Sequence, residues 1–251
     1  MRLINFLKGL LIPEVETYRL TRGKTRYTIS EKGSKRFLKV NGVIYSELDK
    51  KSLYLGSYHD YFLPLPSIYG KSKILMLGLG AGTLPFYLSK LYGSKVSIDV
   101  VEIDKDYLDL TKRFLPAGSI NFKIIIGDGA EFVRKSKNKY DIIIQDVYER
   151  GVRIPGQFLG KKFIGAAYDA LTDDGMLAIN FAPDVIYLPV YLHKLRKSFG
   201  HVYRISHIRF ANYIILCSKK LDKRQMLRLV ESKMKMNEGN RSLLKAYRSM
   251  R

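Results

Sequence analysis

The chain has 251 residues, of which 46% are hydrophobic and 27% charged, a globular balance that excludes a wholly disordered protein. Lysine and arginine number 44 against 23 acidic residues, so the net charge is +21. One cysteine, Cys217, excludes an internal disulfide and a paired-cysteine zinc site, and we expect no metal. No apolar run approaches the ~20 residues of a membrane helix, so we predict a cytoplasmic protein without a membrane partner.

Residues 1–66 are predicted to hold an N-terminal segment and a small antiparallel β-domain. We interpret residues 1–8 as a short amphipathic helix or an edge segment. Three alternating runs follow, separated by turns that contain glycine, at 26–30, 36–40 and 43–46. The last turn, Asn41-Gly42, is typical of a two-residue hairpin that needs positive φ at both positions.

Residues 67–220 are predicted to form an α/β domain. Five apolar runs, each followed by a helical stretch, lie at 74–77, 96–101, 122–126, 142–144 and 176–181. Continuous apolar strands between helices indicate a parallel sheet covered on both faces. Two further runs, 202–205 and 213–217, have too short a link for a parallel crossover and should form an antiparallel pair at the sheet edge. A mostly parallel seven-stranded sheet of this kind is the plan of Rossmann-type nucleoside-binding transferases.

Residues 221–251 are predicted to be a basic helical tail. Asp222, with Gln225 three positions later, forms a plausible capping box at the start of a helix. This tail and residues 19–40 both carry far more basic than acidic side chains. The two basic flanks are compatible with binding nucleic acid through its phosphates, and equally with a solvated basic surface.

A glycine loop follows the first strand of the α/β domain, with glycines at 78, 80 and 82. Such glycines let the backbone turn sharply and approach a ligand, and the next helix offers free N–H donors. Glu102 closes the second strand, where a carboxylate binds both ribose hydroxyls. The glycine loop alone could be a tight turn, and Glu102 alone could be a solvated strand end. The loop and the acid together favour a nucleoside site.

Two further acidic residues follow the third and fourth strands. Asp128, two residues before Ala130, stands where an adenine edge would lie, and it is also suited to cap the next helix. Asp146 points into the crevice at the carboxyl edge of the sheet, where α/β proteins bind ligands. Glycine or acid at four neighbouring strand ends is difficult to explain by core packing, and predicts a nucleoside site.

From Val40 to Phe181 the chain resembles the spermidine synthases, which are polyamine aminopropyltransferases, and their spermidine-synthase-like relatives. The matching motifs are Asn41-Gly42-Val43, Tyr58-His59-Asp60, Gly78–Gly82, Val101–Asp104, Gly127–Gly129 and Tyr140–Asp146. They occur in the family's order and spacing, after an N-terminal β-domain such as the family has.

The resemblance implies transfer of a 3-aminopropyl group from decarboxylated S-adenosylmethionine to a small-molecule amine, by a homodimer or homotetramer. It gives catalytic roles to Asp146, which would accept the amine's proton, and to Glu149 and Tyr58. It gives nucleoside-binding roles to seven residues: Gly78, Gly80, Gly82, Glu102 for the ribose, Asp128 for the adenine, Ala130 and His59. Tyr58 and His59 would form a substrate gate, although a packed loop is an alternative for both.

The chain departs from the family at the amine half of the site. Ala81 stands where the family has an aspartate for the donor's free amine, and Tyr45 stands where it has a glutamine. Two alternatives therefore stay open: a methyltransferase that uses intact S-adenosylmethionine, and a non-catalytic or nucleic-acid-associated nucleoside-binding protein. A polyamine enzyme with this net charge needs a locally acidic pocket. The acids available for it are Asp60, Asp146, Glu149 and Asp184.

Overall fold

The computed structural model describes residues 12–149, 153–181, 187–206, 212–233 and 238–250. The segment predicted at residues 1–8 and the acid Asp184 lie outside these ranges.

The N-terminal part is a four-stranded antiparallel sheet in the order β1-β2-β3-β4. Its strands are β1 (Val15–Arg22), β2 (Thr25–Lys32), β3 (Lys35–Val40) and β4 (Val43–Asp49). The hairpin prediction is confirmed, because φ is 51° at Asn41 and 84° at Gly42. The sequence analysis missed β1 as a strand, since most of its side chains are exposed and leave no alternating apolar pattern.

The central sheet has seven strands in the order β10-β11-β9-β8-β5-β6-β7. They are β5 (Ser72–Leu77), β6 (Val96–Glu102), β7 (Lys123–Ile126), β8 (Tyr140–Gln145), β9 (Leu171–Phe181), β10 (His201–Ser206) and β11 (Tyr213–Ser218). The strands β5 to β9 pair in parallel, whereas β11 joins β9 and β10 joins β11 antiparallel. The predicted fold class, including the terminal antiparallel pair, is confirmed.

Helices cover both faces of this sheet. They are α1 (Thr83–Tyr92), α2 (Asp106–Phe114), α3 (Gly129–Lys135), α4 (Lys161–Ala170) and α5 (Leu188–Ser198), with short 3₁₀ helices at Tyr58–Tyr61, Leu65–Ile68, Gly93–Lys95 and Gly156–Leu159. Successive strand residues point to opposite faces. Ile74 and Met76 of β5 therefore belong to one core, and Leu75 and Leu77 to the other.

The C-terminal helices α6 (Lys223–Lys233) and α7 (Glu238–Arg248) pack on the first of these cores. Their buried side chains include Met226, Val230, Leu243, Leu244, Tyr247 and Met250. The predicted capping box is present, with Gln225 N donating to Asp222 Oδ1 over 2.8 Å and Asp222 N donating to Gln225 Oε1 over 2.9 Å. The boundaries predicted at residues 66 and 220 stay predictions, but the C-terminal helices share a core with the central sheet.

Candidate active site

The glycine loop lies directly against the end of β8. At Gly78, where φ is +93°, an added Cβ would lie only 2.2 Å from the carbonyl oxygen of Asp146. No side chain fits there, and glycine is also the residue that tolerates this backbone conformation. The N-terminal sheet covers the same loop, because Ala81 N donates to Ser46 Oγ over 3.0 Å. The loop, Asp146 and β4 therefore form one contiguous site.

Glu102 is buried, with 8% of its surface exposed, at the carboxyl end of β6. Its Oε2 accepts from Leu79 N over 2.9 Å, and its Oε1 accepts from Asp104 N over 3.0 Å. Burial raises the pKa of this carboxyl, and the backbone hydrogen bonds partly oppose that shift. Each oxygen keeps a further lone pair for a hydroxyl donor. This geometry fits the predicted ribose role, which stays a prediction.

Asp128 caps the N-terminus of α3, which is one of the two roles that the sequence predicts for it. Its Oδ1 accepts from Glu131 N over 2.9 Å, and its Oδ2 accepts from the side-chain amide of Gln157 over 3.0 Å. Ala130 is buried in the first turn of the same helix. The cap does not exclude an adenine-binding role, because the carboxylate has more than two lone pairs, and both binding roles stay predictions.

Two isoleucines beside these acids are exposed at the same sheet edge. Ile103 follows β6 and is 69% exposed, and Ile126 ends β7 and is 47% exposed. Adjacent exposed apolar side chains next to convergent polar groups are typical of a ligand-binding cleft. The sequence analysis missed both, since an apolar residue at a strand end looks the same as a core residue.

The Asp146 side chain is only 13% exposed and is surrounded by polar groups. Its Oδ1 accepts from Asn180 Nδ2 over 2.8 Å, while Oδ2 lies 3.4 Å from the Tyr58 hydroxyl and 4.0 Å from His59 Nε2. Burial raises the pKa of Asp146 to about 6, and hydrogen bonds from Asn180 and Tyr58 limit the rise. The group is therefore ionised at neutral pH and close enough to its pKa to accept a proton.

Tyr58 and His59 stack on each other beside Asp146, with ring centroids 4.0 Å apart. Burial lowers the pKa of His59 to about 4, so its imidazole is neutral at pH 7. Burial also raises the pKa of Tyr58 well above 10, so its hydroxyl keeps the proton that it shares with Asp146. Tyr58 and His59 are therefore two uncharged rings that lie against the buried carboxylate of Asp146.

Asn180, at the end of β9, is 1% exposed and links Asp146 to the edge of the sheet. Its Oδ1 accepts from Asn212 Nδ2 over 2.8 Å, and its backbone carbonyl accepts from the Tyr148 hydroxyl over 2.7 Å. Because Asn212 donates to Oδ1, the NH₂ group of Asn180 faces Asp146. The sequence analysis missed this residue, although a lone amide in the apolar run of β9 was a usable signal.

Residues 57–238 match the family model of the spermine/spermidine synthase domain. The chain belongs to this family. It is 34% identical, over 127 residues, to the polyamine aminopropyltransferase of Clostridium botulinum (strain Alaska E43 / Type E3). That match spans 48% of the chain and 44% of the relative's length, so the chain covers less than half of this relative.

Solved spermidine synthases have the same fold as this family member. A probable spermidine synthase from Corynebacterium glutamicum ATCC 13032 superposes with a TM-score of 0.71 at 18% identity, over 84% of the chain and 86% of that structure. A spermidine synthase in complex with the transition-state analogue AdoDATO gives a TM-score of 0.68 at 19% identity, over 92% and 88%.

The structure describes the positions at which the resemblance implies that this chain departs from the family. Ala81 is fully buried beneath β4, so position 81 holds no charged group for a donor amine. Glu149 has an exposed side chain, and its backbone forms an antiparallel bridge with Arg153. The predicted catalytic role of Glu149 stays a prediction, and Tyr45 is half-buried on β4 beside Ser46.

The Asp60 side chain holds the backbone of the preceding loop. It is 5% exposed, and its carboxylate accepts from Leu55 N over 3.0 Å and from Gly56 N over 2.7 Å. Burial raises its pKa to about 6, against the effect of these hydrogen bonds. Asp60 thereby fixes the segment that leads into Tyr58 and His59.

Within the described ranges, no helix is both long enough and apolar enough to cross a membrane. The same residues include no group of three histidine, cysteine, aspartate or glutamate side chains placed to hold a metal ion.

Asn180→Ala is expected to raise the pKa of Asp146 by about one unit. A hydrogen bond to a charged group is worth roughly 1.5–3 kcal/mol, and one pKa unit corresponds to 1.36 kcal/mol. The measurement is an NMR titration of the Asp146 carboxyl carbon. Asn212→Ala is the matched control, because it keeps the donor and should shift the pKa less. An unchanged midpoint in Asn180→Ala would show that this amide does not stabilise the carboxylate.

Proposed function

We propose that this protein transfers a 3-aminopropyl group from decarboxylated S-adenosylmethionine to a small-molecule amine. The observation that carries the proposal is the Asp146 carboxylate, buried against the glycine loop with a pKa of about 6. Membership of the spermine/spermidine synthase family supports the same reaction.

In the proposed site, one group of residues binds the donor nucleoside and another acts on the amine. The donor supplies an electrophilic carbon beside its sulfonium, and the electrons of the broken C–S bond stay with sulfur as a thioether. Asp146 accepts the proton released by the attacking nitrogen, whose lone pair forms the new C–N bond. Glu102 binds the ribose, Asp128 the adenine, and the glycine loop lets the donor approach the backbone. Tyr58 and His59 border the amine.

The local charge of the site suits a cationic amine despite the net charge of +21. His59 is neutral at pH 7, so it adds no positive charge beside Asp146. A buried carboxylate attracts a cation more strongly than an exposed one, because water screens it less. The ionised Asp146 therefore offers the amine a negative point at the end of the pocket.

The test is product analysis by mass spectrometry with two donors, decarboxylated and intact S-adenosylmethionine. Putrescine, cadaverine, agmatine and spermidine serve as acceptors, and Glu102→Ala is the control that should lose donor binding. We expect an aminopropylated amine and 5′-methylthioadenosine from the decarboxylated donor. If no acceptor gains an aminopropyl group and the intact donor binds more tightly, Ala81 marks a methyltransferase site and the proposal is wrong.

The homodimer or homotetramer and the cytoplasmic location stay predictions. The amine acceptor is proposed only as a class, since the chain departs from the family at the amine half of the site.

A further inference from the structure

A groove of about 550 Å³ lies between α3 and α4. The end of α3, the link that leads into β8, and α4 form its walls. Its charged lining residues are Arg134, Lys137, Lys139, Lys161, Lys162 and Asp169. The groove runs along the length of α4, from Lys161 to Ala170.

The five cations of this groove face one acid. In the described part of the chain, none of them has an ion pair within 4.0 Å, and Lys139 donates instead to the backbone carbonyl of Asp169. The nearby Lys219 has a lowered pKa, mainly because of burial and next because of the charge on Lys139. The groove is therefore a region of concentrated and uncompensated positive charge.

Two of the lysines stand where a helix disfavours them. Lys161 and Lys162 are the first residues of α4, at the positive end of the helix dipole, where acids are the stabilising choice. The N-cap residue is Gly160, which has no side chain to accept from the first turn. Basic residues that destabilise the start of a helix, with no acidic partner nearby to offset the cost, indicate a functional constraint. A bound anion would be attracted both by these lysines and by the positive end of the helix dipole, and would remove the repulsion between them.

The basic flank at residues 19–40 differs from the groove, because most of its basic side chains are paired. Its ion pairs are Arg19–Glu16, Arg22–Asp106, Lys35–Glu47, Arg36–Glu31 and Lys39–Glu14. In the described part of the C-terminal tail, Arg248 pairs with Glu231. The groove combines a cavity with unpaired cations, which makes it a better anion site than either flank.

We propose that this groove binds an anion that carries several phosphate groups. Ammonium and guanidinium groups are the usual partners of phosphate oxygens. Among the described residues that line the groove none is aromatic, so bases would find no side chain to stack on and the phosphates alone would be bound. At Gly165 a Cβ would meet no atom within 4 Å, which keeps the α4 side open. A free polyphosphate and a nucleic-acid backbone are two sources of the same chemistry.

The test compares wild type with Lys137→Gln/Lys161→Gln/Lys162→Gln by calorimetry, using tripolyphosphate and a single-stranded RNA as separate probes. All three side chains are exposed, so the fold should tolerate the change. The matched control, Lys24→Gln/Lys51→Gln/Lys112→Gln, removes the same charge from exposed sites elsewhere. We expect the groove variant to bind at least 10-fold more weakly and the control to stay within 2-fold.

The salt dependence of RNA binding adds a second measurement. Losing three phosphate contacts should reduce the slope of log K against log salt by about 2. Tripolyphosphate binding without RNA binding would identify a small polyphosphate as the source, and the reverse result would identify a nucleic acid. If wild type binds neither probe, or both triple variants lose affinity equally, the groove is not a site.

Discussion

Asp146→Asn is expected to lower kcat by about 10²–10⁴-fold, the usual contribution of a general base. Asparagine keeps the shape of the side chain and still accepts from Asn180 Nδ2, so nucleoside binding should persist. In wild type, kcat/KM should rise with pH through about 6, as the raised pKa of Asp146 requires. The measurements are the pH–rate profile and donor affinity by calorimetry.

The same substitution is expected to stabilise the protein above pH 6. The pKa of Asp146 is raised in the folded state from 3.8 to about 6, so folding favours the protonated form. Stability is therefore lost as pH rises from about 4 to about 6, by up to about 3 kcal/mol, and asparagine avoids this loss. At roughly 2–4 °C per kcal/mol, the Tm of Asp146→Asn should be several degrees higher at pH 8 and unchanged near pH 4.

Asp60→Asn is the matched control for this pair of effects. Asp60 has a similarly raised pKa, but both its oxygens accept backbone N–H groups, which an amide NH₂ group cannot replace. This variant should be less stable than wild type, because one N–H loses its partner. A fully active Asp146→Asn enzyme would contradict the proposed role of Asp146, whatever its melting temperature.

Removal of residues 221–251 is expected to prevent folding. Six large side chains of this segment, five in α6 and α7 and Met250 just after them, are at most 3% exposed. At about 1.5–3 kcal/mol each, their burial contributes roughly 9–18 kcal/mol, as much as the 5–15 kcal/mol that stabilises a typical domain. The truncated chain would also expose the apolar surface that these helices cover.

The measurements for the truncation are soluble yield and a thermal or urea unfolding curve. Tyr247→Phe is the folded control, because it removes only the hydrogen bond that the Tyr247 hydroxyl donates to the Tyr61 carbonyl over 2.6 Å. It should cost about 1 kcal/mol, the net value of one hydrogen bond. A cooperative unfolding transition in the truncated protein would show that the C-terminal helices are an independent tail. Studies of phosphate binding should therefore use point substitutions.

Most of the central sheet could be predicted because its signals are local. The strands β5 to β9 are apolar runs bounded by helices, and parallel strands place their carboxyl ends at one edge. Glu102, Asp128 and Asp146 could therefore be grouped without knowing any distance. The Asn41-Gly42 hairpin was equally predictable, because the turn residues themselves select the backbone conformation.

The remaining parts of the site depend on long-range contacts. Asn180 reaches Asp146 because β9 pairs with β8 in the register that sets Ile179 opposite Gln145. That register follows from the packing of both strands and cannot be read from either alone. The groove likewise needs α3 beside α4. An amphipathic helix such as α6 has the same sequence pattern whether it packs on its own core or on a partner.

The hydrogen bond between Tyr61 and Tyr247 joins residues 186 positions apart, and it connects the 3₁₀ helix that contains Tyr58 and His59 to the C-terminal helices. During synthesis, Tyr58 and His59 leave the ribosome long before their support does. Contacts of such high sequence separation form late, because closing the long loop costs entropy. Until residue 247 has been translated, the Tyr61 carbonyl lacks the hydroxyl donor that Tyr247 supplies. A chain that stalls before residue 247 lacks the C-terminal side chains of the first core, so we expect it to stay unfolded, as the truncated protein does.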